Sequence, residues 1–349
     1  MKKLLKAAVA VSIALSCSPT YADKNDKDEI FSSSTFKAME LRNIGPAYMS
    51  GRIADIAIDQ NNPSTWYTAV GSGGVWKTTN AGTTWTPIFD DQPVYSIGDV
   101  TIAPSNSNII WVGTGENNGG RHISFGDGVY KSVDGGQTWK NMGLSKSEHV
   151  SDIIIHPTNP DIVWVSAQGP LWSGGGERGL YKTTDGGETW KQVLTPADKW
   201  TGVTSLLIDP RNPDKLYAAT WARQRSIGAY VGTNEGAGIH TSNDGGETWT
   251  ELKTGLPEGN MGKIGMAISP MNPDVIYATI ETDNRGGGFY RSADQGASWT
   301  KMSDEVGGGT GPHYYQEIFA DQHQFDRVYI ASNYSKVSDD GGKTWTPIN

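Results

Sequence analysis

Acidic side chains that could do chemistry lie in a few glycine-rich stretches of this 349-residue chain. The candidates for general acid and general base are Glu116, Asp127, Glu177 and Glu281. Two carboxylates roughly 5 to 9.5 Å apart, one with a raised pKa, are the usual apparatus for cleaving a glycosidic bond. Glu116 with Asp127, or Glu177 with Glu281, are the hypothetical pairs. Their separation depends on the fold, so the sequence supplies only the candidates.

The same stretches carry aromatic rings and arginines that suit a polyhydroxylated ligand. Rings stack on pyranose faces, and guanidinium groups hold hydroxyls or carboxylates. The ligand-binding candidates are Arg52, Arg121, Trp172, Arg178, Trp221, Arg223, Arg225, Tyr230, Arg285 and His313. The alternative is that these residues pack loops together, with tryptophan as filler and Arg–Glu pairs as surface links. Both interpretations remain open at the level of sequence.

Several other chemistries lack their sequence signature. The six histidines form no HExxH-type spacing, and no GxSxG elbow, phosphate loop or calcium loop occurs. The single cysteine, Cys17, lies in the N-terminal segment, so a mature chain without it has no thiol nucleophile and no cysteine-based metal site. We therefore expect neither a metal nor a cofactor.

The N-terminus has the composition of an export signal. Lys2, Lys3 and Lys6 precede an apolar run, and Thr20-Tyr21-Ala22 offers small residues at the cleavage position. We predict a signal peptide over 1–22, a mobile polar leader over 23–40, and a periplasmic or extracellular mature protein. Lipoprotein anchoring through Cys17 is disfavoured because the three residues before it match that signal poorly.

The predicted mature chain is strongly acidic. Without the three lysines of the signal, 26 of the 29 basic residues remain against 38 acidic ones. Such a chain is a poor partner for nucleic acid or an anionic membrane surface. No later segment is apolar enough to cross a membrane, so we expect no membrane span in the mature chain.

Six similar turns recur along the chain, each ending in a tryptophan. They read KTTNAGTTW, KSVDGGQTW, KTTDGGETW, HTSNDGGETW, RSADQGASW and VSDDGGKTW, and their tryptophans lie 46 to 59 residues apart. The residues at the carboxylate position are Asn80, Asp134, Asp185, Asp244, Asp294 and Asp340. A second motif, typified by HPTNPDIVW, keeps the same period. Two markers in phase over six repeats predict a β-propeller of about six four-stranded blades.

One repeat shows how a blade is built. HVSDIIIHP (149–157) is β-branched and alternating, which predicts the inner strand over 149–156; DIVWVSAQ, RGLYKTT and TWKQVL then supply the second, third and fourth strands. In the DGGETW turn, the carboxylate can accept backbone N–H bonds and the glycines can take positive φ. The repeated turn therefore predicts a structural fastener.

The turn S/T-x-D-x-G-x-T/S-W resembles the Asp box of sialidases, sortilin-type receptors and two-propeller xyloglucanases. NIGPAYMSGRIADIAID before the repeats is similar to the N-terminal part of large exported bacterial proteins described as sortilin-like or glycosyl-hydrolase-like. The resemblance implies a propeller over 41–349. Either its six blades close without sharing strands between the two ends, or the propeller is C-terminally incomplete with downstream domains missing, which the resemblance favours. It also implies carbohydrate binding or processing; the alternatives are a sortilin-like module for a protein or peptide ligand, or a non-catalytic scaffold.

The chain departs from these families at their catalytic positions. Sialidases have Arg-Ile-Pro where this chain has Arg52-Ile53-Ala54, and no arginine triad can be assigned. The xyloglucanase pattern places an aspartate at the position of Gly71 and takes its second carboxylate from a second propeller. The resemblance therefore leaves catalysis open. The loops in which the repeats differ lie on the face opposite the Asp boxes, and we expect any ligand site there.

Overall fold

The chain folds as a β-propeller. The computed structural model describes residues 51–283, 286–307, 316–332 and 334–348. Within these ranges the regular structure is β, and it forms six four-stranded antiparallel sheets with one additional two-stranded hairpin. In each sheet the strands lie side by side in chain order, apart from the inserted hairpin of the fourth sheet. The prediction of six four-stranded blades is confirmed.

The first three blades use consecutive strands. Blade 1 contains β1 (Ile53–Ile58), β2 (Trp66–Val70), β3 (Gly74–Thr78) and β4 (Thr86–Pro87). Blade 2 contains β5 (Ile97–Ala103), β6 (Asn106–Thr114), β7 (Val129–Ser132) and β8 (Lys140–Asn141). Blade 3 contains β9 (Val150–Ile155), β10 (Val163–Ala167), β11 (Gly179–Thr183) and β12 (Lys191–Leu194).

The last three blades follow the same plan, with one insertion. Blade 4 contains β13 (Thr201–Asp209), β14 (Asn212–Ala222), β17 (Gly238–Ser242) and β18 (Thr250–Leu252), and its inserted hairpin is β15 (Gln224–Arg225) and β16 (Tyr230–Val231). Blade 5 contains β19 (Met261–Ile268), β20 (Ile276–Thr282), β21 (Gly286–Ser292) and β22 (Thr300–Ser303). Blade 6 contains β23 (Glu317–Ala320), β24 (Val328–Ala331), β25 (Lys336–Ser338) and β26 (Thr346–Pro347).

The Asp-box turn is held by its own side chains. In blade 3, Asp185 Oδ1 accepts from the Thr183 hydroxyl (2.7 Å) and the Thr189 amide (2.9 Å). Asp185 Oδ2 accepts from the Thr189 hydroxyl at 2.6 Å, and Gly187 adopts a φ of 99°. These hydrogen bonds to the charged form lower the pKa of the Asp185 carboxyl. In the deviant first box, Asn80 Oδ1 accepts the Thr84 amide at 2.9 Å, so the amide replaces the carboxylate.

Each box is tied to the turn between the first two strands of its own blade. In blade 3 the Gly186 amide donates to the Asp161 carbonyl at 2.9 Å, and in blade 2 the Gly135 amide donates to the Asn108 carbonyl at 3.0 Å. The same bond occurs in the other four blades: Ala81 to Ser64, Gly245 to Asp214, Gln295 to Asp274 and Gly341 to Asp326. The two kinds of turn therefore share one face of the propeller, here called the Asp-box face.

Box tryptophans such as Trp190 and Trp345 join neighbouring blades. The Trp190 indole of blade 3 packs edge-on against Trp111 of blade 2, with ring centroids 5.9 Å apart, and donates to the Met142 carbonyl at 2.7 Å. Trp345 of blade 6 packs likewise against Phe289 of blade 5 at 4.9 Å. Five apolar clusters fill the five interfaces from blade 1–blade 2 to blade 5–blade 6. The indole therefore fastens blade to blade, in addition to packing between strands.

Blades 6 and 1 leave a groove of about 660 Å³ between them, lined by residues of β1, β23 and the end of β24. Ile53 and Ile56 of β1 are 53% and 51% exposed, whereas Ile97 and Val100, which correspond to them in β5, are 0% and 2% exposed. Phe319 of β23 is 53% exposed in the same groove. In the described residues, the apolar surface that the other blades bury against a neighbour is thus left open here.

Candidate functional site

The face opposite the Asp boxes, here called the loop face, carries the segments in which the blades differ most. These are the long second-to-third-strand loops of blades 2, 3 and 4: residues 115–128, 168–178 and 223–237. Side chains link them directly, since Arg223 donates to the Asn118 carbonyl and, at 3.2 Å, to the Gly169 carbonyl. Arg225 Nε donates to the Gly119 carbonyl at 2.7 Å. The three loops therefore form one continuous surface layer.

Glu116 lies at the base of the blade 2 loop and pairs with Arg52. Arg52 Nε donates to Glu116 Oε1 at 2.6 Å, and Arg52 Nη2 donates to Oε2. The Glu116 side chain has no exposed surface, whereas Arg52 is 28% exposed. A Cβ atom added to Gly71 would lie 2.8 Å from the Glu116 carboxyl carbon. The carboxylate of blade 2 thus occupies the space beside Gly71, the position at which the xyloglucanase pattern has an aspartate.

The other three acidic candidates lie in different surroundings. Asp127 is half-buried, and its Oδ2 accepts the Tyr130 hydroxyl at 2.8 Å. Glu177 is half-buried, and its Oε2 accepts the Lys146 amide at 2.8 Å. Glu281 ends β20 and is 4% exposed. Of the four candidates, only Asp127 and Glu177 are not fully buried, and the Oδ1 atom of Asp127 is itself buried.

Three candidate arginines are buried among backbone carbonyls. Arg178, Arg223 and Arg225 are 3%, 1% and 2% exposed. Arg178 makes five side-chain bonds to carbonyls, including Trp200 O at 2.8 Å and Gly175 O at 2.8 Å. These arginines hold the loop layer together, which is the packing role weighed against ligand binding in the sequence.

The remaining candidates differ in exposure. Trp221 is 1% exposed and donates to the Gly232 carbonyl at 2.8 Å, so its indole is part of the core. Trp172 is 48% exposed, and Arg121 is exposed as well. Tyr230 is half-buried, with the Arg225 guanidinium 4.6 Å from its ring centroid. Arg285 and His313 lie outside the described residues.

Two exposed aromatic residues that sequence reasoning did not select lie close together on the loop face. Tyr95 is 57% exposed and Phe125 is 68% exposed. The Tyr95 hydroxyl lies 3.1 Å from Ser124 Oγ, next to Phe125 in the chain, and the Ser96 hydroxyl donates to the Ser124 carbonyl at 2.8 Å. Tyr95 belongs to a blade connection with no motif, so only its position in space marks it.

Burial shifts the pKa of two further groups on this face. The pKa of Glu148 is raised, chiefly by burial, with Arg178 and Arg223 acting in the opposite direction. Glu148 also holds a left-handed φ of 59°, which is uncommon for a residue with a side chain. The pKa of His122 is lowered by burial and by the nearby charge of Arg52. Raised or lowered pKa values of this kind are typical of functional sites, although structural networks also produce them.

The inner strands enclose a central channel of about 300 Å³ with an acidic wall. Asp55, Asp99 and Asp152 occupy corresponding positions of β1, β5 and β9, and Glu317 of β23 joins them. Each aspartate accepts a backbone amide of the next inner strand, as Asp152 does from Leu206 at 2.7 Å. Burial raises the pKa of Asp55 to about 6 and the pKa values of Asp99 and Asp152 well above the usual range.

Asn117 lines one end of this channel and belongs to a buried polar network. Gln168 donates to Asn117 Oδ1 and, at 2.9 Å, to the Thr204 hydroxyl. Lys263, 1% exposed, donates to the Asn117 carbonyl at 3.1 Å and lies 3.8 Å from Glu317. Among the described residues, no three His, Cys, Asp or Glu side chains are arranged to hold a metal ion. In the same part of the chain, no helix has the length and apolar character of a membrane span.

The fold and its six boxes define an Asp-box β-propeller protein. Sequence comparison agrees: residues 127–282 match the Sortilin-Vps10 family (sortilin, neurotensin receptor 3), and residues 336–347 match the BNR/Asp-box repeat. Among proteins of known activity, the chain is similar to xyloglucanases.

The similarity to curated xyloglucanases is low but extended. A xyloglucanase of Hypocrea jecorina is 29% identical over 261 residues, covering 74% of this chain and 26% of that protein. A xyloglucanase of Paenibacillus sp is 25% identical over 188 residues, covering 52% of this chain and 17% of that protein. The chain therefore spans less than a third of the length of these relatives.

Solved structures share the fold. A GH74 xyloglucanase of Xanthomonas campestris superposes with a TM-score of 0.60 at 15% identity over 83% of this chain and 45% of that one. An ancestral GH74 enzyme gives 0.62 at 21% identity over 86% of this chain and 38% of that one. YCF48 bound to D1 peptide superposes with a TM-score of 0.53 at 15% identity, over 85% of this chain and 82% of that one. At these identities the likeness shows the architecture alone.

Proposed function

We propose that the loop face binds a glycan chain, as an exported propeller of the carbohydrate-processing type. The observation that carries the proposal is the pair of exposed rings, Tyr95 and Phe125, with the exposed Arg121 and His122 in the same blade 2 loop as Phe125. Exposed aromatic rings offer flat apolar faces for pyranose rings, and neighbouring polar groups fix orientation. Trp172, 48% exposed on the blade 3 loop, is a further exposed ring on the same face. The similarity to xyloglucanases supports a carbohydrate ligand.

Cleavage of the glycan is the chemical step that the carboxyls of this face could add. Glu148 suits a general acid, because burial raises its pKa while leaving it half-exposed. Glu116, bonded to Arg52 in the space beside Gly71, has no exposed side-chain surface, so we assign it no role in cleavage. The role of Glu148 rests on its burial and its raised pKa, and binding does not depend on it.

Binding is tested by titrating the whole protein with xyloglucan oligosaccharides, cello-oligosaccharides and unrelated peptides while the heat of binding is measured. We expect one glycan class to bind, and a Tyr95→Ala/Phe125→Ala double variant to bind about tenfold more weakly, a loss of about 1.4 kcal/mol. Met271→Ala is the matched control, because Met271 is 50% exposed in an Asn-Pro turn on the Asp-box face. Binding of peptides without glycans would favour the sortilin-like alternative.

Cleavage is tested separately, by release of reducing ends from the glycan that binds. We expect Glu148→Gln to abolish release while the affinity for the glycan changes little. Glu188→Gln, on the Asp-box face, controls for the loss of one carboxylate. Binding with no release by the unaltered protein would leave a binding propeller without hydrolytic activity.

A further inference from the structure

Several buried hydrogen-bond donors beneath the loop face have no acceptor among the residues that the structure describes. These donors are Asn118 Nδ2, Arg223 Nε and Arg225 Nη2, and their residues are 0%, 1% and 2% exposed. They belong to one cluster, because Arg223 donates to the Asn118 carbonyl and Arg225 to the carbonyl of the adjacent Gly119. A buried donor left without an acceptor costs about 1 to 3 kcal/mol, and more when it is charged. Such groups require an explanation when they occur together.

The cluster also has an excess of positive charge. In the part of the chain that the structure describes, neither Arg223 nor Arg225 lies within ion-pair distance of a carboxylate. Arg178 lies close enough to Arg223 to lower its pKa further, after burial, to about 9. The nearby carboxyl of Glu148 acts in the opposite direction without forming an ion pair. Buried cations without a paired anion are costly, so an acceptor with a negative charge would stabilise this arrangement.

We propose that this cluster binds the carboxylate of an acidic glycan, a chain containing uronic acid residues. The inference rests on the proposed function and narrows its ligand class from glycans in general to acidic ones. Arg225 Nη2, Arg223 Nε and Asn118 Nδ2 are the donors to the carboxylate oxygens, and Tyr230 forms the cover. The Tyr230 ring lies 4.6 Å from the Arg225 guanidinium and against Gly119, at which an added Cβ would be 2.4 Å from the Tyr230 hydroxyl. Movement of Tyr230 gives the carboxylate access.

The alternative is that water molecules occupy the cluster. Buried water commonly satisfies isolated donors, and it needs two to four polar partners. Two buried guanidinium groups favour an anion over water because a carboxylate also neutralises their charge and can accept two hydrogen bonds at once. The two possibilities differ in whether the protein discriminates between acidic and neutral sugars.

The experiment titrates the whole protein with oligogalacturonate and with neutral galacto-oligosaccharide of the same length, by calorimetry at low and at moderate salt. We expect the acidic chain to bind at least about tenfold more tightly than the neutral one, with a preference that shrinks as salt rises. Arg225→Gln should abolish the preference. If Arg225→Gln does not fold, Asn118→Asp is the second variant, and it should abolish the preference as well. It keeps the acceptor for the Gly120 amide but places a negative charge beside the arginines.

The matched control is Arg211→Gln, which removes one positive charge from the Asp-box face, where Arg211 pairs with Asp209 and Asp274. It should leave the preference unchanged. Equal affinity for both chains would overturn the inference and leave the proposed function standing, since that function needs only a glycan. Binding of acidic peptides in place of oligogalacturonate would overturn it as well. No binding of any glycan would remove the proposed function itself.

Discussion

Individual ionisable residues in this propeller differ mainly in which neighbouring groups offset the cost of burying them. Glu116 is fully buried and meets a bidentate arginine, whereas the channel aspartates are buried against one another and accept backbone amides. Glu116 is therefore paired with an opposite charge, whereas burial raises the pKa values of the channel aspartates. Two predictions follow from this contrast, one for an ion pair and one for pH.

Arg52→Ala should destabilise the protein by about 3 to 5 kcal/mol, because it leaves the Glu116 carboxylate buried without the guanidinium that neutralises it. Lys140→Ala is the control: it breaks the pair with Glu188, in which both side chains are 65% exposed. That change should cost less than about 1 kcal/mol. Chemical denaturation measures both values. Similar losses for the two variants would show that the Arg52–Glu116 pair is not a buried interaction.

The channel predicts that stability falls as pH rises through about 6. The folded-state pKa of Asp55 is about 6 against 3.8 ordinarily, so the folded state binds this proton more tightly than the unfolded state. The stabilisation is complete below about pH 4 and is lost as pH rises through the folded pKa, a change of up to about 3 kcal/mol. Asp99, Asp152 and Glu317 line the same channel, and Lys263 lies 3.8 Å from Glu317. The pKa values of Asp99 and Asp152 are also raised, so these two aspartates contribute to the same pH dependence.

Asp55→Asn tests this dependence, because the amide oxygen can still accept the Val100 amide while the titration is removed. Urea midpoints at about pH 4.5 and 7.5 should differ less in the variant than in the unaltered protein. Asp91→Asn, at an exposed position, should retain the full difference. A variant with an unchanged pH dependence would assign the effect to other groups.

At the scale of the structural element, the backbone conformation of the Asp-box turn also determines how closely neighbouring blades pack. Gly187 has a φ of 99°, and a Cβ there would lie 2.5 Å from the Trp111 ring of the preceding blade. The glycine is therefore required twice, for the left-handed backbone and for the approach of the neighbouring indole. The hydrogen bonds of Asp185 then fix the turn that presents it.

Gly187→Ala should accordingly lower the free energy of unfolding by more than the cost of placing an alanine in a left-handed backbone conformation. Gly259→Ala is the matched variant, with a φ of 90° and nothing within 4 Å of the added Cβ. We expect about 1 kcal/mol for Gly259→Ala and about 1 to 3 kcal/mol more for Gly187→Ala, the additional loss coming from overpacking against Trp111. Equal losses of stability for the two variants, measured by thermal unfolding, would mean that the Trp111 ring shifts to accommodate the added methyl group at no energetic cost.

At the scale of the whole molecule, charge and apolar surface are both unevenly distributed. The central channel is acidic at Asp55, Asp99 and Asp152, whereas the layer beneath the loop face is rich in buried arginine, and Asn117 lies at the boundary. Five blade interfaces are filled, and the apolar surfaces of blades 1 and 6 line an open groove. The described blades therefore contribute unequally to stability.

The open groove predicts that truncation to alanine has different costs at two corresponding positions. Val100→Ala, in the filled interface between blades 1 and 2, should cost about 1 to 3 kcal/mol, since the residue is 2% exposed. Ile56→Ala, at the corresponding position facing the groove, should cost less than about 1 kcal/mol, although it removes more carbon. A large loss for Ile56→Ala would show that the groove is covered in solution.

The fold and the division into an Asp-box face and a loop face were predictable from the sequence, whereas most of the candidate site was not. The blades are predicted by the period near fifty residues, the paired turn motifs and the alternating strands. These features depend on hydrogen bonds and side-chain alternation between residues that are close in sequence. Inner-strand aspartates such as Asp55 and Asp99 recur at one position and are visible on inspection. The exposure of Tyr95 and Phe125, and the burial of Trp221, have no local signature.

What the sequence by itself determined is the repeating unit: the strands, the Asp-box turns, the aromatic fasteners and the face on which the blades differ. Tertiary structure alone decided which loop side chains meet, since Arg223 of blade 4 bonds to Asn118 of blade 2 across 105 residues of chain. It also decided that Glu116 fills the space beside Gly71 and that Arg225 is buried. The physical reason is that burial and charge pairing depend on neighbours brought together by the ring, whereas turns and strands depend on neighbours in the chain.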